Sequence, residues 1–376
     1  MAEVGSSYDL AIIGGGPGGC AAAITAARAG ASVLLLERGR FPRHKVCGEF
    51  VSPEAVGLLA SLLANSLETR SLLRHSRRIN GARLFVDGHM VETPIDPPAA
   101  SVARYDLDAA LWQAAQASGA EAQSLVKVEK IGGDGPFVLV TPLGQIVAHS
   151  LIDASGRWSN LRPSTLKKGI DDVKWIGLKA HFTEDESSDA TDLYFFDGGY
   201  CGVQRVQLEA ERESEERPRI NVCAMARADR YTSLTDVLEA SPELRQRSER
   251  WKPVSEVVST SPLIFRTPVP VGHRHILRVG DAAGFVDPFV GDGISLALRS
   301  GALAGETVSH FLQSKISLSA AAQAYEKAYS EKFLSVFQSS SKIRTLLRLP
   351  ELMRAPLLHL LEKVPKLTEY MVRQTR

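Results

Sequence analysis

The pattern of hydrophobic and polar positions changes repeatedly near the start of the chain. An apolar run from Tyr8 to Ile13 precedes a glycine cluster, and an alanine-rich stretch from Cys20 to Ala29 follows that cluster. Gly30 interrupts this stretch, and another apolar run covers Ser32 to Leu36. A short apolar run, a glycine turn, a helix-length segment and a second short run predict a strand, a helix and a strand. The chain is therefore predicted to open with a βαβ unit.

The middle of the chain first shows both helical and strand patterns of apolar residues, and then strand patterns only. Helices are predicted at Pro53–Leu67 and Asp106–Ser118, and strands at Phe137–Thr141 and Gln145–Ile152. Beyond these, β-rich runs follow one another without a helical segment between them, which predicts a mostly antiparallel sheet. The runs are Trp175–Phe182, Thr191–Phe196, Gly202–Leu208 and Arg219–Ala226, and the charged stretch Glu209–Pro218 is predicted to be a solvated hairpin loop.

The pattern of the first region returns after Pro268. Ile276–Val279 predicts a strand, Gly280–Gly293 a loop and Ile294–Phe311 a helix. We therefore expect an α/β fold, α+β overall, in which a β-rich substrate domain interrupts a Rossmann-like nucleotide-binding domain. The predicted boundaries are 1–75, 102–165 and 265–335 for the nucleotide-binding domain, 76–101 and 166–264 for the β-rich substrate domain, and 336–376 for a basic helical tail.

Composition narrows the class of protein. The 376 residues carry 44 Lys+Arg against 43 Asp+Glu, and 23% are charged, which excludes a disordered chain and a globally basic nucleic-acid binder. Four cysteines, widely spaced and without a C-x-x-C pair, predict a reducing, cytoplasmic setting. The apolar stretch Leu10–Ala29 is glycine-rich and no Lys or Arg precedes Arg28, so neither a signal peptide nor a membrane span is expected.

The glycine cluster satisfies G-x-G-x-x-G through Gly14, Gly16 and Gly19. It follows a predicted strand and opens a predicted helix, and Glu37 ends the next strand, which is the context that a dinucleotide-binding fingerprint requires. Gly14 permits the tight turn, Gly16 admits a pyrophosphate, and Gly19 lets the helix approach the strand. The carboxylate of Glu37 is expected to accept hydrogen bonds from ribose hydroxyls.

A second glycine-rich segment distinguishes FAD from NAD. Val279–Gly284 places Asp281 at a strand end, and Gly291–Ile294 places glycines at the start of the later helix. Asp281 is expected near the ribityl or pyrophosphate groups. The amides of Gly293 and Ile294, at a positive helix end, suit the electron-rich pyrimidine edge of a reduced flavin. A nicotinamide dehydrogenase has no use for such a segment, so FAD is the predicted cofactor.

These motifs together resemble the p-hydroxybenzoate-hydroxylase-fold flavoproteins, and within them the geranylgeranyl-reductase-like branch. The resemblance covers residues 8 to 310 and implies an extended FAD, with its adenosine end at Gly14–Arg38 and its isoalloxazine between Cys47 and Pro288–Ile294. The segments that carry it are Gly14–Gly19, Lys45–Glu49, Arg104 with Asp108 and Leu111, Asp153–Arg157, Gly198–Tyr200 and Gly280–Ile294. The FAD-binding residues predicted from motifs and resemblance are Gly14, Gly16, Pro17, Gly18, Gly19, Glu37, Arg38, Arg104, Val128, Asp281, Pro288, Gly291, Gly293 and Ile294.

Cys47 is the candidate catalytic residue. A thiol beside the flavin can donate a proton, and nearby Lys45 would favour the thiolate, although a free cysteine can equally be a small packing residue. Cys20, Cys201 and Cys223 are expected to be packing residues. The resemblance further implies a sheet over the flavin ring, with a pocket lined by Phe195, Tyr200 and Val203. No histidine spacing indicates a metal site, so none is expected.

The tail from Lys342 to Arg376 combines eight basic residues with three acidic ones and many interleaved leucines. Amphipathic helices of this kind can rest on anionic lipid, or they can pack on the flavin domain and present a basic outer face. Both interpretations stay open at this stage, and peripheral membrane contact through 342–376 is one of them.

The favoured function is a single-chain FAD-dependent oxidoreductase that reduces an alkene of a hydrophobic substrate, prenyl or polyketide-like, with Cys47 as the acid. The first alternative is a flavin monooxygenase that hydroxylates an activated ring, and the second is a non-catalytic electron carrier. Halogenation is disfavoured because the four tryptophans form no W-x-W pair. No second dinucleotide fingerprint appears, so NAD(P)H is expected only as a transient reductant, or electrons come from a protein donor. No nucleic-acid partner is expected.

Overall fold

The computed structural model describes residues 7–64, 67–157, 174–185, 188–207, 217–313 and 316–364. Most of the predicted charged loop Glu209–Pro218, Trp158 and the tail beyond 364 lie outside these residues. The strands are β1 (Ser7–Ile13), β2 (Val33–Glu37), β3 (Phe50–Val51), β4 (Arg77–Val86), β5 (His89–Ser101), β6 (Glu121–Ser124), β7 (Lys130–Gly132), β8 (Phe137–Thr141), β9 (Gly144–Asp153), β10 (Trp175–Thr183), β11 (Ala190–Phe196), β12 (Gly199–Arg205), β13 (Arg219–Arg227), β14 (Lys252–Pro253), β15 (Val258–Leu263) and β16 (Leu277–Arg278). The α-helices are α1 (Pro17–Arg28), α2 (Pro53–Leu62), α3 (Leu67–His75), α4 (Arg104–Ala117), α5 (Leu234–Leu238), α6 (Pro242–Ser248), α7 (Gly293–Leu312), α8 (Leu318–Leu347) and α9 (Glu351–Lys363).

The first sheet has the order β6-β2-β1-β9-β8-β7, and β16 pairs with β9. The pairs β6–β2, β2–β1, β1–β9 and β9–β16 are parallel, whereas β7, β8 and β9 form an antiparallel meander. Alternate residues of β1 serve two cores: Leu10 and Ile12 face the helices, and Ala11 and Ile13 face the meander. The register places Ile13 beside Leu36 and Asp153, so the carboxyl ends of the parallel strands meet at one edge.

Helices α1 and α7 cross in close contact behind this edge. A Cβ on Gly301 would lie 2.1 Å from the carbonyl oxygen of Gly18, and one on Gly305 would lie 2.8 Å from that of Ala22. Small residues on both helices therefore let their backbones touch. This contact joins the glycine loop at the start of α1 to the second glycine-rich segment at the start of α7.

The second sheet has the order β14-β10-β13-β12-β11-β4-β5-β3, with β15 paired to β10. All of its pairs are antiparallel except β11–β4. One face packs on α5 and α6 through a core that includes Val203, Val222 and Leu234. The other face, which carries Tyr200 and Gly202, looks toward the first domain. This sheet is the predicted β-rich, mostly antiparallel unit.

Several predicted boundaries differ from the structure. β3, at Phe50–Val51, pairs with β5 in the second sheet although it lies within the predicted 1–75 segment. The predicted strand Gly202–Leu208 is β12, which begins at Gly199. The predicted tail 336–376 does not start at a boundary, since α8 runs unbroken from Leu318 to Leu347 and buries Phe333 and Val336 in the core of the first domain. α8 continues across the predicted boundary because its apolar residues pack in the core. The pattern of charged residues, from which the tail was predicted, carries no information on that packing.

Candidate functional site

The glycine loop lies at the carboxyl end of β1, and each of three positions in it requires glycine for a different steric reason. Gly14 has φ +113°, and a Cβ there would lie 2.2 Å from the carbonyl oxygen of Ala154. A Cβ on Gly19 would lie 1.8 Å from the carbonyl oxygen of Gly14, so this glycine allows α1 to approach the strand. A Cβ on Gly16 would meet no atom within 4 Å, so the space beside Gly16 is open. These are the roles that the fingerprint predicts.

Glu37 is buried at the end of β2, where it braces the loop. Its carboxylate accepts hydrogen bonds from the backbone N–H of Gly15 at 2.9 Å and of Gly39 at 2.7 Å, and from Arg43 Nη1 at 2.8 Å. Burial by itself would raise the pKa of Glu37, but the Arg43 guanidinium and the two amides outweigh it and lower the pKa to about 2. The carboxylate is therefore ionised, and it can accept a further hydrogen bond, such as one from a ribose hydroxyl.

A cavity of about 490 Å³ runs from Glu37 past the glycine loop to the start of α7. Every residue predicted to bind FAD lines it except Gly19, whose role is the close packing just described. The cavity passes the N-terminus of α1, where Gly16 is the N-cap without a capping side chain, and that of α7, where a Cβ on Gly293 would meet no atom within 4 Å. Two helix N-termini with open approaches suit the pyrophosphate and the flavin of an extended FAD. The residues present fit this cofactor.

The loop before α7 is held by two buried carboxyl groups. Asp287 accepts a hydrogen bond from Phe289 N and pairs with Arg344 Nε at 3.2 Å, while Asp292 accepts one from Ser52 Oγ at 2.8 Å. Burial raises the pKa of Asp287 to about 7 against the opposing effect of Arg344, and raises that of Asp292 to about 6 against that of Ser52. Asp281 also lines the cavity, 3.6 Å from Arg157 Nε.

Cys47 lies on the wall of the first cavity, in a loop that three contacts hold in place. Its Sγ accepts the backbone N–H of Glu49 at 3.4 Å, and its carbonyl oxygen accepts Asn221 Nδ2 at 3.1 Å. The Arg104 guanidinium lies in contact with the sulfur and makes two hydrogen bonds, of 2.7 and 2.8 Å, to Asp108. Burial by itself would lower the pKa of Arg104, but its interactions with Asp108 and Cys47 raise that pKa. The guanidinium is therefore a positive charge held next to the Cys47 thiol.

A buried ionic cluster beside Cys47 was not predicted from the sequence. Glu49 has φ +61° and is fully buried, and its carboxylate accepts hydrogen bonds from Arg104 N at 2.8 Å, from His181 Nε2 at 2.9 Å and from Lys179 Nζ. Burial would raise the pKa of Glu49, but Lys179 and His181 lower it to about 2. Lys179 and His181 alternate with apolar residues in β10. Two ionisable residues inside an apolar strand could have indicated a buried polar cluster. Nothing in the sequence, however, linked them to Glu49.

A second cavity, of about 210 Å³, adjoins the first. It lies between the second sheet and the helices α8 and α9, and its lining includes Phe195 and Tyr200. Val203 does not line it: strand alternation turns it to the opposite face of β12, where it is fully buried in the core, and its neighbour Gln204 faces the cavity instead. Cys223 was expected to be a packing residue, but it lines both cavities.

The other cysteines are packing residues as predicted. Cys20 is buried and donates to the carbonyl oxygen of Gly15, and Cys201 is buried in the second domain's core, where burial raises its pKa to about 12. Across the described ranges, no cluster of His, Cys, Asp or Glu has the geometry to hold a metal ion. No helix among the described residues is long and apolar enough to cross a bilayer.

Fold and site together define a flavin-dependent oxidoreductase. Residues 9–156 match the family model described as FAD dependent oxidoreductase. The chain is 26% identical to a menaquinone reductase of Mycolicibacterium smegmatis, over 92% of this chain and 86% of that protein. It is 24% identical to a digeranylgeranylglycerophospholipid reductase of Methanococcus vannielii, over 93% of this chain and 88% of that protein.

Solved structures show the same fold. The flavin-dependent brominase Bmp2 superposes with a TM-score of 0.79 at 21% identity, covering 98% of this chain and 93% of that one. A geranylgeranyl bacteriochlorophyll reductase-like protein from Thermoplasma acidophilum superposes with a TM-score of 0.78 at 19% identity, covering 98% and 96%. The chain is an FAD-dependent oxidoreductase of the p-hydroxybenzoate-hydroxylase-like fold, and it is similar to the geranylgeranyl-reductase-like branch.

Proposed function

We propose that this enzyme reduces a carbon–carbon double bond in a hydrophobic, prenyl- or polyketide-like substrate. The observation that carries the proposal is the apolar cavity adjoining the flavin site. Gly48, Phe50, Tyr200 and Gly291 are among the residues that border both cavities, so a molecule in the second reaches the place expected for the isoalloxazine. Among the described residues that line the second cavity, Arg354 alone carries a formal charge.

The walls of this cavity favour an aliphatic chain over an ionised ring. They are built largely from leucine, isoleucine, valine and phenylalanine side chains. Burying a phenolate or another charged group among these residues would cost several kcal/mol without a partner, roughly 2–7 kcal/mol even for a neutral polar group. A prenyl chain needs no such partner. Relatives named menaquinone reductase and digeranylgeranylglycerophospholipid reductase support a substrate that carries such a chain.

Bound FAD in its reduced form supplies a hydride, and the chain supplies the matching proton. In the proposal, the S–H bond of Cys47 breaks as a C–H bond forms on the substrate. The Arg104 guanidinium stabilises the thiolate, which regains a proton from water. Asn221 and the N–H of Glu49 hold the loop that carries the thiol. The reductant is proposed to be transiently bound NAD(P)H or a protein donor.

The alternative is oxygen activation by the reduced flavin, as in a monooxygenase. Similarity to proteins named flavin-dependent halogenase, including one from Armillaria mellea that is 26% identical over 82% of this chain, supports it. Product analysis separates the two. The reduced enzyme is incubated with a prenylated quinone, without oxygen and then under ¹⁸O₂. A product whose prenyl chain is heavier by two hydrogens in both conditions, after the ring has been reoxidised to the quinone, supports the reductase, and incorporation of ¹⁸O that requires oxygen would contradict it.

A further inference from the structure

Helix α9 has two apolar faces, of which only one is used by the fold. Leu357, Leu358 and Leu361 face inward and line the second cavity. On the outward side, Leu352 is 90% exposed, Met353 62%, Leu360 47% and Val364 40%. At 3.6 residues per turn, positions 352, 353 and 360 fall on one side of the helix, and Val364 follows its last turn. We call this side the outer face of α9.

The outer face differs from the rest of the described surface. The other exposed large hydrophobic residues are spread over separate turns and strands: Met90, Leu125, Leu143, Val254, Val257 and Val269. Single exposed apolar residues are normal, whereas a contiguous apolar side of one helix indicates an interaction surface. This surface lies directly over the cavity proposed to take the substrate.

The charge around the outer face identifies its partner. Lys342, Arg348 and Lys363 are exposed at the end of α8 and on α9. Among the described residues from 342 to 364 five are basic and two are acidic, a net charge of +3 by subtraction. Exposed leucine and methionine flanked by cations are typical of a helix that lies in the interface of an anionic bilayer. A protein partner or a second copy of a nearly neutral chain would not require this excess of positive charge.

Helix α9 is attached to the second domain by contacts that can open. Arg354 pairs with Asp87 at 2.8 Å, and Glu362 pairs with His89 at 3.0 Å; both partners flank the β4–β5 turn. These ion pairs are partly exposed, so each one raises the equilibrium constant for attachment of α9 to the turn by at most about tenfold. Breaking them would leave α9 held by the leucines of its inner face and by Arg354, which also donates to the carbonyl oxygen of Leu347.

We propose that the outer face of α9 docks on an anionic lipid bilayer, and that an apolar substrate passes from the bilayer beneath α9 into the second cavity. The docking stands on the helix itself, and the passage rests on the proposed function. The inner leucines then form a continuous apolar path from the acyl chains to the flavin.

Vesicle binding tests the docking without substrate. The FAD-loaded protein is sedimented with vesicles of phosphatidylcholine, with or without phosphatidylglycerol. Binding is expected only with the anionic lipid and should fall at least about tenfold in the triple variant Leu352→Gln, Met353→Gln, Leu360→Gln. The control Leu143→Gln, Val269→Gln removes exposed apolar residues elsewhere and should bind like the parent. No binding by the parent, or equal binding by the triple variant, overturns the proposal.

Two further measurements locate the contact. Phospholipids brominated in their acyl chains should quench a tryptophan introduced by Leu360→Trp and not one introduced by Leu143→Trp; equal quenching overturns the assignment to α9. A dimer in light scattering that the triple variant abolishes would make the outer face an interface between copies and would also overturn it. Anaerobic turnover of a detergent-dispersed prenylated quinone should survive in the triple variant. Failure of this turnover in the parent counts against the proposed function and leaves the docking result intact.

Discussion

Cys47 has neighbours that its position in the sequence does not reveal. Lys45 is its nearest cation along the chain, but the cation in contact with its sulfur is Arg104, from the start of α4. Tyr200 borders the same cavity, and burial raises its pKa. Tyr200 is therefore a further group in the flavin cavity that can donate a proton, besides the thiol that the sequence indicated.

Replacing Cys47 by serine tests the acid. A serine keeps the shape of the side chain but is a far weaker acid, so the rate of substrate-dependent reoxidation of the flavin should fall by ~10²-fold or more. FAD content and flavin reduction should stay unchanged. Cys223→Ser is the matched control, because that thiol also lines the flavin cavity and burial raises its pKa. Equal rates for Cys47→Ser and the parent would remove Cys47 from the mechanism, and Tyr200→Phe would then be the variant to measure.

Glu49 should dominate the stability of the loop. Removing one partner of a buried ionic cluster costs about 3–5 kcal/mol, so Glu49→Gln should lower the free energy of unfolding by about 3 kcal/mol near neutral pH. A carboxyl whose folded pKa is depressed to about 2 stabilises the fold above its ordinary value of 4.5 and loses that effect as the pH falls toward 2. The difference between variant and parent should therefore narrow below pH 4.5.

Urea unfolding across this pH range measures the effect of Glu49. The exposed Glu129 provides the control, since Glu129→Gln should change the unfolding free energy little at any pH. A Glu49→Gln protein as stable as the parent near neutral pH would show that the cluster with Lys179 and His181 contributes nothing net.

At the scale of elements, the glycine loop and its flanking strand and helix were predictable because their signals are local. The apolar periods, the G-x-G-x-x-G spacing and the acidic end of β2 lie within one βαβ unit. The Glu49 cluster was not predictable, because its partners are 130 and 132 positions away and meet only when β10 packs on the loop. Val203 was misplaced for a related reason: an aromatic and aliphatic run shows that a strand is buried without showing which face meets the cavity.

The glycine loop yields a matched pair of substitutions. Ideal Cβ atoms at Gly16 and Gly57 meet nothing within 4 Å, but only Gly16 borders the FAD cavity. Gly16→Val should therefore fold and purify without FAD, because the valine occupies the space of the pyrophosphate. Gly57→Val should purify with as much FAD bound as the parent protein. The ratio of flavin to protein absorbance measures both, and FAD-loaded Gly16→Val would contradict the assignment of the cavity.

Strand β12 offers a test of the substrate cavity. A Cβ on Gly202 would lie 3.4 Å from Leu193 Cδ2 and 3.6 Å from the Cys223 carbonyl oxygen, which is ordinary contact, so the backbone tolerates a side chain. Gly202→Leu should fill part of the second cavity and slow turnover at least about tenfold, with FAD content unchanged. Gly202→Ala adds one carbon and should stay near the parent. Steady-state turnover is the measurement, and undiminished turnover of Gly202→Leu would place the substrate elsewhere.

In the molecule as a whole, the sequence indicated that one domain interrupts another, because apolar residues recur with both helical and strand spacing in the first domain and with strand spacing in the second. How the pieces close around the substrate was not. The second cavity is walled by β4, β5, β11, β12, α8 and α9, which are distant in sequence, and its apolar character belongs to their assembly. The continuity of α8 across the predicted tail boundary likewise depends on Phe333 and Val336 entering a core formed by α1 and α7.

In the proposed reaction, the electrons of reduced FAD in the first cavity pass to an alkene in the second. The most direct test mixes the reduced holoenzyme rapidly with a polyprenyl alcohol, which carries alkenes but no redox-active ring, in the absence of oxygen and follows the flavin absorbance. The account predicts that the flavin reoxidises at a rate that rises with substrate concentration and is slowed by Gly202→Leu. A flavin that stays reduced until oxygen is admitted, and then reoxidises faster with substrate present, would contradict the account and indicate a monooxygenase.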